Sequence, residues 1–349
     1  MKKILLQATI VFVAFFIGIR YASAQDKQYK VGCIAFYNTE NFYDTINDPN
    51  TNDDEFTPDG TANWTSKKYW TKVEHISTVI SQIGDELVKG GPVIIGLSEI
   101  ENQKVLEDLV NASALKPSNY GIVHYDSPDR RGIDVALLYQ KDHFIVINSK
   151  PVPLIVKDRP DFKTRDQLVV YGKFDSDPMY FIVNHWPSRY GGEKRSAPMR
   201  NLAADLTKSI VDSIQKIDST AKIIIMGDLN DDPTNGSLVK HLKAKGDIKE
   251  VGKKDLYNPM YNLFKKEGVG SLAYHDNWNL FDQIIVSGAL LGDDKSTYKF
   301  YKAKIFNKAF ITQTDGAYAG YPLRTYVGGV YQGGYSDHFP SYIYLIKEK

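Results

Sequence analysis

A single cysteine, Cys33, occurs in 349 residues. One thiol closes no intramolecular disulfide, so the fold must rest on its core, and Cys33, inside the apolar run 31–37, reads as a small buried residue. An excess of either charge is also missing: 43 Lys and Arg face 42 Asp and Glu, a formal +1. That balance excludes a broadly basic nucleic-acid-coating surface and leaves room only for a local basic groove. No repeat and no low-complexity linker interrupts the chain from Lys30 onward, so one domain is expected.

Long apolar stretches are absent too, except at the start. Lys2 and Lys3, the apolar residues 4–19 and Ala22-Ser23-Ala24 form the pattern of a secretory signal peptide (residues 1–24) with its cut after Ala24. The apolar part is too short and interrupted for a membrane span, and no cysteine follows the cut to carry a lipid. The expectation is an exported protein, periplasmic or extracellular, with a single domain over residues 25–349 and no transmembrane anchor. Losing Lys2, Lys3 and Arg20 moves the formal charge from +1 to −2. With 42% hydrophobic and 24% charged residues, the composition is ordinary globular material.

Short apolar runs at 31–37, 93–97, 135–139, 144–147, 168–174, 180–183, 223–226, 283–286 and 342–346 end at turn-forming residues and predict strands. Helical spacing joins Trp70, Val73, Ile76, Val79, Ile80 and Ile83, and again Leu202, Leu206, Ile210, Ile214 and Ile217, with Ser196 and Pro198 suited to the start of the second helix. Residues 288–334, rich in Tyr, Gly and Lys, predict long surface loops. Strands outnumber helices, which favours two packed sheets with helices outside.

Polar residues gather where these strands end. The run 223–226 stops at Gly227-Asp228-Leu229-Asn230; in extended chain Asp228 and Asn230 project together, and Gly227 permits close backbone approach. An Asx-turn is the competing reading. The run 93–97 ends at Glu99, whose alternative role is to cap a helix containing Leu106 and Leu109. Asn38 and Glu40 close the first strand, His185 the strand at 180–183, while Asp282, Asp337 and His338 precede the last two strands. Carboxylates with amides suit a hard cation and a phosphate oxygen.

The ordered segments FYNTENFYD, IIGLSEIEN, RRGIDVALLY, IVNHWPSR, IIIMGDLND, FDQIIVS and YSDHFPSY resemble the endonuclease/exonuclease/phosphatase superfamily, and within it the secreted bacterial nuclease-like members. The resemblance implies a four-layer α/β sandwich, with two mixed β-sheets packed face to face and helices on the outer faces, and a metal-dependent phosphoester hydrolase site at one edge. It further implies Glu99 as the principal Mg²⁺ ligand, helped by Glu40 and Asp337, with Mn²⁺ as an alternative ion. Asn38 would orient ligand and phosphate, Asp228 would position water, and Asn230 and His185 would contact the phosphate. His338, oriented by Asp282, would act at the scissile phosphate, and Arg131 would bind phosphate, with Arg130 competing for that role.

A DNA or RNA endonuclease is the leading expectation, because FYNTENFYD and GLSEIEN resemble the secreted nuclease branch and Arg130, Arg131, Arg159, Arg165, Arg189, Arg195 and Arg200 flank the motif segments. A solvated face is the competing reading of those arginines. The alternative activity is a phospholipase C-type or an inositol- or sugar-phosphate phosphatase on the same fold. A catalytically silent binding module would be expected to lose a motif residue, and every motif position is filled. No stable protein partner is implied.

Overall fold

The computed structural model describes residues 27–349, and the signal-peptide expectation lies outside the described residues. The chain opens with β1 (Tyr29–Phe42), α1 (Ser66–Gln82), β2 (Ile94–Ile100), α2 (Gln103–Asn111), β3 (Tyr120–His124), β4 (Asp134–Gln140) and β5 (Phe144–Val152). It continues with β6 (Gln167–Phe174), β7 (Asp177–His185), α3 (Glu193–Ile217), β8 (Ile223–Asp228), β9 (Ala244–Lys245), β10 (Leu256–Tyr257) and α4 (Met260–Glu267). Last come the hairpin β11 (Leu272–Tyr274) and β12 (Asn277–Asn279), then β13 (Asp282–Ser287), β14 (Lys299–Ile305), a second hairpin of β15 (Tyr326–Val327) and β16 (Val330–Tyr331), and β17 (Ser341–Glu348). No helix among the described residues is long and apolar enough to cross a membrane.

Two large sheets result. The six-stranded sheet runs β14-β17-β1-β2-β4-β3 and the seven-stranded sheet β5-β6-β7-β8-β13-β10-β9. Both are mixed: β1 with β2 and β7 with β8 are parallel, and most other neighbours are antiparallel. The strands carry near-continuous apolar runs because both faces of each sheet are covered. Ile34, Phe36, Leu137 and Ile343 of one sheet meet Phe181, Val183, Met226 and Ile284 of the other in the central core. Ala35, Ile95 and Tyr344 face the opposite way, onto Val73, Ile76 and Ile80 of α1 and Leu106 of α2. On the far side, Ile182, Ile223 and Ile225 pack against Ala204, Val211 and Ile214 of α3. The mixed α/β sandwich of two large sheets and few helices is therefore the architecture of this chain.

Several local expectations need correction. Region 288–334 is not all loop: β14 forms the edge of the six-stranded sheet, and its Lys299-Phe300-Tyr301-Lys302-Ala303-Lys304 sequence hid it because an edge strand exposes one face. Helix α3 begins at Glu193 after Gly192, at φ 105°, so Ser196 lies inside the first turn and bonds back to the Gly192 carbonyl. Trp70, Leu202 and Ile217 fit the helical stripe but stand exposed at its margin. Helix α2 is capped by Asn102, which accepts from Val105 N at 3.0 Å, and not by Glu99.

Gly227 behaves as its position required. A Cβ there would stand 2.4 Å from the Asn184 carbonyl oxygen on the neighbouring strand. We expect Gly227→Ala to lower stability by roughly 1–3 kcal/mol through this overpacking, read as the urea midpoint; an unchanged midpoint would contradict the strand contact.

Candidate active site

Strand register, more than any single motif, determines what meets at one edge. In the seven-stranded sheet His185 lies opposite Asp228, and Asp228 opposite Asp282, so three neighbouring strands bring their polar ends side by side. In the other sheet Asn38 lies opposite Ser98, and Phe36 opposite Ser341, which places residues 336–338 at the same edge. The two sheets are then tied together: Asn38 Nδ2 donates to Asp228 Oδ2 at 3.0 Å.

At this edge the backbone leaves regular geometry. Glu40, Asn41, Glu99 and Asn230 all have φ between 51° and 62°, in the left-handed region, and the β1–β2 and β2–β4 registers shift beside Glu40 and Glu99. Such positions cost free energy and bend side chains out of strand alternation. Asn230 is therefore not paired with Asp228 by extended-chain alternation, as the sequence suggested. An Asx-turn forms instead: Asp228 Oδ1 accepts from Asn230 N at 2.9 Å, while Asn230 Nδ2 donates to the Trp186 carbonyl at 2.9 Å.

Each residue of the sequence-derived set reaches this edge. The imidazole of His338 holds Asp282 Oδ2 through Nδ1 at 2.6 Å, and Ser271 Oγ steadies that carboxylate at 2.5 Å. Its other nitrogen, Nε2, looks toward Asp337 at 3.8 Å and Asp228 at 4.0 Å. Burial opposes a charge on His338, but Asp282, Asp337 and Asp228 outweigh it and hold its pKa well above the ordinary value. His185 is the opposite case. Its Nε2 lies 3.6 Å from Asp228 and 4.0 Å from Glu99, its Nδ1 is buried without a partner, and burial together with Arg165 and Arg131 drives its pKa well down. The two rings are thus shifted in opposite directions, His338 toward the cation and His185 toward the neutral form. Burial raises Asp228 above the usual carboxylate range, against the pull of His338.

The remaining carboxylates cluster on the side of the six-stranded sheet. Glu99 Oε2 accepts from Asn41 N at 2.8 Å, and its Oε1 is approached by Arg131 at 3.7 Å without a hydrogen bond. Glu40 Oε2 accepts from Thr325 N at 2.7 Å and is pushed above the ordinary range by burial and by Asp337. Asp337 Oδ2 faces Arg324 at 3.4 Å. Glu99 Oε1, which accepts no hydrogen bond, and Glu40, repelled by Asp337, offer the oxygen chemistry a divalent cation takes, but Glu40, Glu99 and Asp337 do not converge into one ligand group among the described residues. Asp228, Asp282 and His338 lie close enough to share an ion, although the Asp282–His338 hydrogen bond already occupies the facing atoms. A second cluster, His124, Asp126 and Asp134, is closed by its own 2.9 Å His124–Asp134 contact.

Sequence reasoning missed Lys72. Fully buried on α1, its ammonium donates to Thr325 Oγ1 and the Tyr335 carbonyl, both at 2.7 Å, and stands 3.9 Å from Glu40. His75, one turn on, stacks on Tyr335 and reaches the Gly334 carbonyl, so α1 braces the segment that carries Asp337 and His338. The only signal was a lysine beside an apolar helical stripe. The arginine expectation needs correction: Arg165 and Arg200 are buried, pairing with Asp129 at 3.0 Å and Asp231 at 2.8 Å, and Arg189 reaches Asp231 and Asp232. They are structural ion pairs, neither a phosphate track nor a solvated face.

The depressed pKa of His185 sets a sign. Unfolded chain takes up a proton near pH ~6.5 that folded chain refuses, so its neutral burial contributes stability above that pH and loses it as pH falls. In EDTA, the stability advantage of wild type over His185→Gln should shrink below about pH 6.5, by up to about 1.4 kcal/mol per pH unit in urea titrations. A pH-independent difference would contradict a neutral His185.

Comparison with known proteins agrees with this fold. No curated protein matches the sequence. A solved endonuclease/exonuclease/phosphatase family protein from Bacteroides thetaiotaomicron is 18% identical with a TM-score of 0.53, covering 92% of this chain and 97% of its own. A mannosyl-6-phosphatase from the same species is likewise 18% identical, TM-score 0.53, covering 90% and 99%. D. rerio TDP2, solved with a single-strand DNA product, is 12% identical, TM-score 0.54, covering 90% and 98%. At these identities the likeness is one of fold. The family model described as endonuclease/exonuclease/phosphatase matches residues 33–347, nearly the whole chain, and the protein belongs to that family of phosphoester hydrolases.

Proposed function

We propose that the protein is an exported, single-domain, divalent-metal-dependent phosphodiester hydrolase acting on nucleic acid. The observation that carries the reading is the His338–Asp282 pair, whose free Nε2 turns toward Asp228 beside the Asn38 link between the sheets. Glu99 and Asp337, with Glu40 behind them, would hold Mg²⁺, or Mn²⁺ in its place. Such an ion, when bound, stabilises negative charge on phosphoryl and departing oxygens.

The chain's own groups supply the rest. Asp228, fixed by Asn38 and Asn230 and raised in pKa, is suited to orient water and take its proton. The cationic His338 donates from Nε2 to the phosphoryl group, and Asp282 keeps its ring oriented. Neutral His185, Asn230 and the partly exposed Arg131 complete the phosphate contacts. The TDP2 complex with DNA product supports a nucleic-acid substrate on this fold. A sugar-phosphate phosphatase is the second reading, favoured by the arginines withdrawn into structural ion pairs and by the phosphatase of similar fold.

With bis-p-nitrophenyl phosphate, EDTA should abolish turnover, Glu99→Gln should raise the Mg²⁺ concentration needed, and His338→Ala should lower kcat at least ~100-fold. Undiminished turnover in EDTA or by His338→Ala would overturn the mechanism. On long DNA, cleavage should fall steeply between about 50 and about 200 mM salt, more than on the small diester, with Arg131→Ala weakening it uniformly across sequences. Equal, weak salt dependence on both substrates would favour the small-phosphoester reading.

A further inference from the structure

A second buried polar tie joins the two sheets at the proposed active-site edge. Asp129 lies in the β3–β4 connection of the six-stranded sheet, and Arg165 just before β6 of the seven-stranded one. Arg165 Nη1 donates to Asp129 Oδ2 at 3.0 Å, and each side chain is only 7% exposed. The atoms left over on each partner lead to a group proposed to contact phosphate. Asp129 Oδ1 accepts from Arg131 N at 2.9 Å. Arg165 Nη2 donates to the Trp186 carbonyl at 2.6 Å, the same oxygen that receives Asn230 Nδ2 at 2.9 Å. One ion pair thus reaches Arg131 at one end and Asn230 at the other.

The consequence is plainest at Arg131. Its backbone is held on both sides: its N bonds to Asp129, its carbonyl accepts from the Tyr43 hydroxyl at 2.9 Å, and the Arg130 carbonyl accepts from Asn52 N at 2.7 Å. Its guanidinium, by contrast, makes no hydrogen bond with the described residues, and stands 3.7 Å from Glu99 and 3.9 Å from Asp129. A free guanidinium fork on a fixed backbone is preorganised for an oxyanion. Stability does not by itself account for the pair, because apolar residues of similar volume often serve a core as well as a buried ion pair does.

Resting on the phosphoester-hydrolase reading, we propose that Asp129 and Arg165 are a positioning pair, which touches no substrate and sets Arg131 and Asn230 at a fixed separation across the phosphate. Asp129 acts on substrate affinity through Arg131, and Arg165 acts on rate through Asn230.

The test compares wild type, Asp129→Leu/Arg165→Met, Arg131→Ala, the triple variant and Arg165→Lys on bis-p-nitrophenyl phosphate and on an oligonucleotide, with Mg²⁺. Removing both partners leaves no lone buried charge, so the urea midpoint should stay near that of wild type. Loss of the pair should raise KM about tenfold, as Arg131→Ala does, and lower kcat about tenfold; in the Arg131→Ala background it should still lower kcat but raise KM no further. Arg165→Lys keeps a charge opposite Asp129 but cannot fork to Trp186, so kcat should fall about tenfold with KM within about twofold. Calorimetric binding of the oligonucleotide to the same variants built on His338→Ala should repeat the non-additive loss independently of turnover.

Additive effects of the pair and Arg131, or wild-type kinetics without the pair, overturn the positioning role. Should the pair variant fail to fold, Arg165→Lys decides alone, and an unchanged kcat overturns the proposal. Absent turnover by wild type with the non-additive binding intact would sink the hydrolase reading and leave the positioning pair standing.

Discussion

The hydrogen bond from Asn38 to Asp228 joins two residues 190 positions apart and two different sheets. The polar groups of the proposed active-site edge gather around that crossing. Asn38 also accepts from Glu40 N at 2.9 Å, and its carbonyl receives Ser336 Oγ at 2.7 Å, so one amide residue ties together the Glu40 turn, Asp228 and the loop before His338. Stacked sheets can slide; a buried polar contact with defined geometry cannot, because an unpaired amide or carboxylate at this depth would cost about 1–3 kcal/mol or more.

Around this link the protein accepts strain and buried charge together. Left-handed backbone at Glu40, Asn41, Glu99 and Asn230 turns side chains toward a common point, which regular strands would send to alternate faces. Lys72 lies beneath the resulting carboxylates as an internal counter-charge. Its burial is tolerated because Thr325 and Tyr335 accept from it, and those two partners belong to the C-terminal segment that must stay in place for Asp337 and His338 to face inward. The opposite pKa shifts of His338 and His185 follow from the same crowding: three carboxylates outweigh burial at the first, while burial and then two arginines act together on the second.

Much of this was legible in the primary sequence, for a physical reason. Strands buried on both faces leave apolar runs such as Ile223-Ile224-Ile225-Met226, and polar residues placed immediately after them must emerge at a sheet edge. Edge strand β14 left no such run. Asn230 was placed in the correct neighbourhood by the wrong geometry, because a strand-end acid can bind the backbone two residues on and end the alternation there. Lys72, Arg165 and Arg200 escaped because long cations ordinarily remain in water, and the partners that permit burial are distant in the chain, 253 residues away for Lys72 and Thr325.

The central claim is that one edge of the sandwich gathers a divalent cation and a phosphate between Glu99 and the His338–Asp228 pair. Anomalous diffraction from crystals of the protein soaked with Mn²⁺ and phosphate tests it most directly. The account predicts manganese density against Glu99, with phosphate density in contact with His338 Nε2. Manganese located instead at His124 and Asp134, with no density beside Glu99, would contradict it.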